Sequence, residues 1–190
     1  MTEVRRVSQE WELEGILTLQ RANLRKNLSD SEAAQQGFLT AEFDLPYLRA
    51  MNAAAPSIIA VDQSQVVGYA LVATQPIRDG HPFIRALFQA IDPIPLRGQP
   101  LGKGSYVVVG QLCVGRDHRG QRLVQRLYHH FRESLESDYP CAVTDIAREN
   151  VRSLRAHERT GFRIVHSIAY EGREWDVVVW DWKSNECPVP

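Results

Sequence analysis

Hydrophobic spacing divides the chain into stretches of helical and extended periodicity. Residues 3–8 alternate weakly and predict a short first strand. Leu13, Ile16, Leu17, Gln20 and Leu24 then follow the spacing of one helix face. Residues 27–30 interrupt it. Ser31 is placed to cap a short helix over 32–36, and Gly37 to end it. Leu45, Leu48 and Met51 align on a further helix over 44–54.

Extended character takes over at residues 57–61 and 65–73, two apolar runs around Asp62-Gln63-Ser64 that predict a hairpin. Residues 74–103 carry Pro76, Pro82, Pro93, Pro95 and Pro100, with one short helix over 83–90. Their apolar content is too low for a core of their own, so they read as an insertion within a single domain over 1–190. Residues 105–114 form a nearly continuous apolar strand suited to mid-sheet. Leu123, Val124, Leu127, Phe131 and Leu135 make a stripe on a helix over 120–137. A buried strand over 141–146 follows, then a helix over 151–159 between Asn150 and Gly161. Strands over 162–170 and 174–182 close the chain as a hairpin around Glu171-Gly172-Arg173. The order predicts an α/β fold with a mixed sheet and a late βαβ unit.

Composition narrows the class. The 190 residues are 44% hydrophobic and 24% charged with net charge -1, which excludes general disorder and a surface devoted to nucleic acid. Apolar runs such as 69–73 and 177–180 are too short to span a membrane. Cys113, Cys141 and Cys187 are widely spaced, and neighbouring His129 and His130 point apart on a helix, so no metal spacing is expected. The first residues lack an apolar stretch of signal-peptide length, and a reducing cytoplasm is the expected compartment. Arg116, Arg119, Arg122 and Arg126 crowd together against Asp117 alone. That cluster is either a site for a small anion or a solvated helix face.

The segment Leu112-Cys113-Val114-Gly115-Arg116-Asp117-His118-Arg119-Gly120-Gln121-Arg122-Leu123-Val124 carries the first chemistry. A buried strand runs through a short turn into a helix. Backbone N–H groups at a helix start lack intrahelical acceptors, and the helix dipole adds positive potential there. Gly120 permits close approach of a ligand to the backbone. Arg119 and Arg122 can add charge-assisted hydrogen bonds to phosphate. The stretch reads as a pyrophosphate cradle or as a strand–helix turn with exposed arginines. It has neither the Lys-Ser/Thr of a P-loop nor a GxGxxG run, which disfavours a nucleotide-binding protein built on this turn.

These residues resemble the acyl-CoA loop of the GNAT superfamily of N-acetyltransferases, an apolar strand followed by Arg/Gln-x-x-Gly-x-Gly/Ala opening a helix. Arg119 fills the first place and Gly120 matches a glycine common at the second place, but Arg122 and Val124 stand where the two signature glycines would be. The run Asn150-Val151-Arg152-Ser153-Leu154-Arg155-Ala156-His157-Glu158-Arg159-Thr160-Gly161-Phe162 resembles a second family motif, Asn-x-x-Ala-x-x-Leu-Tyr-x-x-x-Gly-Phe. Asn150, Gly161 and Phe162 match it, while Ser153, Ala156 and His157 replace its alanine, leucine and tyrosine. The resemblance covers 105–182 well and 1–73 by element order only.

The resemblance implies the GNAT acyl-CoA N-acyltransferase fold: a central, mixed, mostly antiparallel sheet with flanking helices, its strands over 105–114 and 141–146 splayed apart. Acetyl-CoA is the implied cosubstrate, lying in that gap. Its pantetheine arm would bond backbone along Leu112, Cys113 and Val114. Its pyrophosphate would lie on Arg119, Gly120, Gln121, Arg122, Leu123 and Val124, and Asn150 would contact the arm. The implied activity is N-acetyl transfer to a primary amine in a ternary complex. The acceptor would be a small amine or a protein N-terminus, and the family often forms homodimers. A non-catalytic acyl-CoA-binding module is the alternative, favoured by the two replaced glycines and the tyrosine-to-histidine change.

Direct transfer requires a neutral amine, and roughly 0.1% or less of a lysine-like amine is neutral at pH 7. A general base removes that obstacle. Residues 105–115 offer no Asp or Glu. Asp145, five residues before Asn150, resembles the acidic base of ribosomal-protein N-terminal acetyltransferases. A carboxylate satisfied by strand-end backbone is the other reading. His157 stands at the tyrosine's place, either as the acid for the leaving thiolate or as part of the site wall. The resemblance assigns the oxyanion donor to the Val114 N–H. Glu42 could meet a cationic acceptor or simply face solvent. Gln111 and Tyr106 fit the acceptor pocket or the core. Cys113 fits a small buried residue, and Trp175, Trp180 and Trp182 fit packing roles.

Overall fold

The computed structural model describes residues 2–170 and 172–183. One sheet holds β1 (Glu3–Arg6), β2 (Ile58–Asp62), β3 (Gln65–Ala73), β4 (Val107–Val114), β5 (Cys141–Ala147), β6 (Arg163–Tyr170) and β7 (Arg173–Asp181). Their spatial order is β1-β2-β3-β4-β5-β7-β6, and every pair is antiparallel except β4 with β5. The helices are α1 (Glu10–Asn23), α2 (Asp30–Gln36), α3 (Leu45–Ala54), α4 (Pro82–Ile91), α5 (Leu123–Leu135) and α6 (Val151–Glu158). This is the mixed, mostly antiparallel sheet with flanking helices expected above.

Both sheet faces are covered, because strand alternation sends apolar side chains each way. Ile16 of α1, Leu48 and Met51 of α3 and Phe88 of α4 pack with Tyr69, Leu71, Val143 and Val177 on one face. The α5 stripe of Leu123, Leu127, Phe131 and Leu135 packs with Ile58, Ala70, Val72 and Val107 on the other. Each such side chain is worth about 1.5–3 kcal/mol of burial. The stretch over 74–103 does not stand apart: Ile84, Leu87, Phe88 and Ile91 of α4 are buried in the first of these cores.

Several boundaries differ from expectation, two of them for evident local reasons. Ser29, not Ser31, caps α2, because Ser29 and Glu32 form a capping box. The first strand ends at Arg6. Helix α5 starts at Leu123 rather than at Gly120, because Gly120 (φ 77°) and Arg122 (φ 57°) are both left-handed and cannot continue a right-handed helix. Cys113 and Cys141 are buried and free, while Cys187 and Glu171 lie outside the described residues. No helix among the described residues is long and apolar enough to cross a membrane.

The sheet opens at its centre. β4 and β5 pair only at Val107 with Ala142 and Val108 with Val143. The Thr144 hydroxyl then donates to the Val109 carbonyl at 2.9 Å. Beyond that bond β4 bulges at Gly110, since Val72 pairs with Val109 but Leu71 pairs with Gln111. The remaining halves of the two strands have no ladder between them.

Candidate active site

The open half of the sheet leads to a cleft of about 580 Å³ on one side. Its walls come from the end of β4, the start of α5, the inner face of α6, and residues 34–39. A narrow neck of about 80 Å³ continues through the gap, and Leu112, Phe38, Leu39, Asn150 and Ser153 line both spaces. Thr40 and Trp175 line the neck and also a third opening of about 440 Å³, beside Arg25, Lys26, Glu42 and Arg173. A passage thus runs from one side of the sheet to the other.

Backbone polarity along β4 follows from strand parity. The Gly115 N–H donates to the Val67 carbonyl at 2.8 Å, so Cys113 and Gln111 direct their backbone groups to β3. Those of Leu112 and Val114 face the gap, as expected for strand-like binding of a ligand arm. One of them is already engaged: the Arg119 Nε donates to the Val114 carbonyl at 2.9 Å. At the head of α5, the N–H groups of Leu123, Val124 and Gln125 precede the first intrahelical bond, made by the Arg126 N–H to the Arg122 carbonyl. All three residues line the cleft.

Several expected ligand-binding side chains are turned to other work. Arg119 ties the loop to α1 and α2: besides Val114, it donates to the Gln36 and Asn23 side-chain oxygens at 2.9 and 2.7 Å. The Gln121 side chain folds back onto the Asp117 carbonyl at 3.2 Å and does not line the cleft, whereas Gln125 does. Arg116 pairs with Glu32, and Arg126 donates to the Thr2 carbonyl. Asn150 caps α6 through Oδ1, and its Nδ2 donates to the Phe38 carbonyl at 2.9 Å, tying α6 to the segment after α2. Of the four-arginine cluster, only Arg122 keeps a guanidinium at the cleft with no partner among the described residues. Arg152 and Arg155 from α6 and Arg159 just past its end supply the rest of the cationic wall, and no Asp or Glu lines it. Their spacing of three and four residues places them on one helix face, a signal the sequence contained.

Asp145 stands alone at the neck, partly accessible, with Phe83, Ile146 and Trp175 among its neighbours in the lining. Loss of solvent pushes its carboxyl from 3.8 up to about 7, and a contact to its own backbone N–H offsets only part of this. The strand-end backbone therefore does not satisfy it as an ordinary ionised carboxylate. His157 is different. It is buried, its Nδ1 bonds the Ser153 carbonyl at 2.8 Å, and its Nε2 meets the Tyr128 hydroxyl at 2.6 Å. Burial lowers its pKa to about 4, so the ring is neutral near pH 7. A carbonyl can only accept, so Nδ1 carries the proton and Nε2 accepts from Tyr128. A ring so held has no proton to deliver, and the acid role expected of His157 does not fit this geometry.

The remaining candidates sort simply. Gln111 is buried, accepts from the Tyr69 hydroxyl at 2.6 Å and donates to the Ala41 carbonyl at 2.8 Å, forming a fixed floor of the neck. Tyr106 bonds Asp92 in the core at 2.7 Å. Glu42 is exposed and hydrogen-bonded to Lys26 at the third opening. Burial raises the Cys113 thiol to about 12, which makes it inert. Trp180 and Trp182 pack edge-on or tilted against Tyr128, Phe131 and Phe162, whereas Trp175 lines the passage.

A sheet split between its parallel central strands, with helix-start N–H groups at the split, is the arrangement that the GNAT resemblance implied. The model of the Acetyltransferase (GNAT) family matches residues 21–162, and the chain belongs to that family. No curated protein matches it. Among solved structures, a chain of the NatC complex bound to Gag peptide and CoA superposes with TM-score 0.65 at 14% identity, covering 95% of this chain and 98% of that one. The yncA protein of Salmonella typhimurium, solved with its cofactor acetyl-CoA, gives TM-score 0.62 at 14% identity over 100% and 98%. The ribosomal-protein-S18-alanine N-acetyltransferase of Escherichia coli gives 0.62 at 8% over 100% and 99%. At such identities the likeness is one of fold.

Proposed function

We propose that the protein is an acetyl-CoA-dependent N-acetyltransferase that moves the acetyl group directly to a primary amine while both substrates are bound. The observation that carries this reading is the single partly buried carboxylate, Asp145, at a neck joining an arginine-lined cleft to a separate opening. A ligand with phosphates at one end and a thioester at the other matches a cleft that is cationic where wide and, Asp145 apart, lined by uncharged residues where narrow. The acetyl-CoA bound in the yncA structure has that form, and the CoA in the NatC structure has its phosphates with a free thiol in place of the thioester.

Acetyl-CoA supplies the activated acetyl thioester. Leu112 offers its backbone N–H and carbonyl to the ligand arm. Because Leu112 lines the neck and Val114 only the cleft, we assign to the Leu112 N–H the hydrogen bond that stabilises developing negative charge on the thioester oxygen. Asp145 takes the proton that the amine nitrogen loses as it bonds to the acetyl carbon. A carboxyl near 7 is matched to that task at neutral pH. Once protonated, Asp145 can return a proton to the sulfur that departs, a step His157 cannot serve. The amine enters through the opening lined by Thr40, Glu42 and Trp175. A small amine and a protein N-terminus are both open to that entrance.

A panel of primary amines with acetyl-CoA, followed by thiol release, tests the reading. Asp145→Asn should lower kcat by about 10²–10⁴-fold while leaving acetyl-CoA affinity unchanged. A parent protein that binds acetyl-CoA and acetylates nothing would instead support a binding module, the reading that Arg122 and Val124 at the signature positions favour.

A further inference from the structure

Most arginines outside the cleft hold carboxylates: Arg49 pairs with Glu10, Arg85 with Asp79, Arg132 with Glu136, and Arg148 with Glu174 and Asp176. Inside the cleft the pattern reverses. Arg155 and Arg159 are exposed on its wall, and neither makes a salt bridge or side-chain hydrogen bond among the described residues. Arg152 beside them is held only by the Gln35 carbonyl, at 3.1 Å. Three like charges on one turn-spaced face repel one another. With no acidic residue lining the space, their field is uncompensated and points to an anion.

The cleft therefore has two separate anion-attracting walls. One is the head of α5, whose three free N–H groups suit a single diphosphate. The other is the α6 arginine face, which has planar, always-charged donors suited to phosphate. Arg119 does not link them, because each of its three nitrogens already bonds Val114, Gln36 or Asn23. Coenzyme A carries both a diphosphate and a distinct ribose 3′-phosphate. Resting on the reading that this cleft takes acetyl-CoA, we propose that Arg155 and Arg159, supported by Arg152, bind the 3′-phosphate and make the protein selective for CoA over its 3′-dephospho form. The α6 face thus supplies affinity from side chains in a chain whose phosphate loop has lost its two signature glycines.

Calorimetric titration with CoA and with 3′-dephospho-CoA tests the proposal. The parent should bind CoA about tenfold or more tightly than 3′-dephospho-CoA. Arg155→Ala/Arg159→Ala should erase that preference by weakening CoA alone and raise KM for acetyl-CoA. Arg155→Lys/Arg159→Lys should keep most of the preference, because charge is retained. Both positions are exposed, and matched thermal melts will show that the variants fold. Equal binding of both compounds by the parent, or an undiminished preference in the double alanine variant, overturns the clamp while leaving the acetyl-CoA reading intact. A parent that binds neither compound overturns the acetyl-CoA reading itself.

Discussion

Asp145 concentrates the chemistry and also a thermodynamic cost. Its carboxyl sits near 7 in the fold against 3.8 ordinarily, so between those pH values the folded chain holds a proton that the unfolded chain has released. Stability contributed by this group is therefore full in acid, falls as pH rises through that window, and stays reduced above it. Asp145→Asn should be more stable than the parent at pH 8 by on the order of 1–3 kcal/mol and similar to it at pH 4, though catalytically impaired. Urea unfolding at the two pH values measures this, and a variant weaker than the parent at pH 8 would refute the raised pKa. The parent's kcat/KM should rise with pH through the same region. His157 carries the opposite sign. Its folded pKa of about 4 lies below the ordinary 6.5, so stability is lost as pH falls through that interval. His157→Phe leaves the buried Tyr128 hydroxyl without its acceptor and should cost about 1–3 kcal/mol at pH 7. A stable variant with selectively reduced kcat would restore the acid role that the structure argues against. Position 157 was legible as a site-wall residue. Its hydrogen bonds were not, because Tyr128 approaches from another helix.

Among the elements, the turn from β4 into α5 shows where sequence reasoning succeeds and where it stops. The strand, the helix and the exposed donors between them follow from local pattern. The delayed helix start does not, because it depends on Gly120 and Arg122 both taking left-handed backbone. A glycine at position 122 would adopt that conformation freely, whereas an arginine there costs about 1 kcal/mol. Arg122→Gly should raise Tm by about 2–4 °C relative to Arg122→Ala, which keeps the strain but loses the same charge. Equal melting of the two variants would show the backbone there to be unstrained. The Asn150 cap and the Gly161 terminus of α6 were likewise readable, and so was the Ser29–Glu32 capping box, which Ser31 obscured. The bulge at Gly110 was not, since it exists only in the register of β4 against β3. Helix α4 had the periodicity to be seen, but its membership of the main core required knowing what lies beneath it.

For the molecule as a whole, near-neutral net charge concealed a strong division of charge. Carboxylates and arginines neutralise one another over much of the surface, and the cleft is left cationic. The GNAT fold was legible from two motifs in order, each tied to a helix start at the open side of the sheet. The acceptor side was not, because residues 24–26, 40–42 and 173–175 meet there from distant parts of the chain. The claim beneath all the others is that the gap between β4 and β5 holds acetyl-CoA. Isothermal titration of the full chain with acetyl-CoA tests it most directly. One-to-one binding that weakens as salt rises, in the manner of a phosphate ligand in an arginine-lined cleft, is the predicted result. Absence of heat at millimolar acetyl-CoA, confirmed by no shift in Tm, would contradict it.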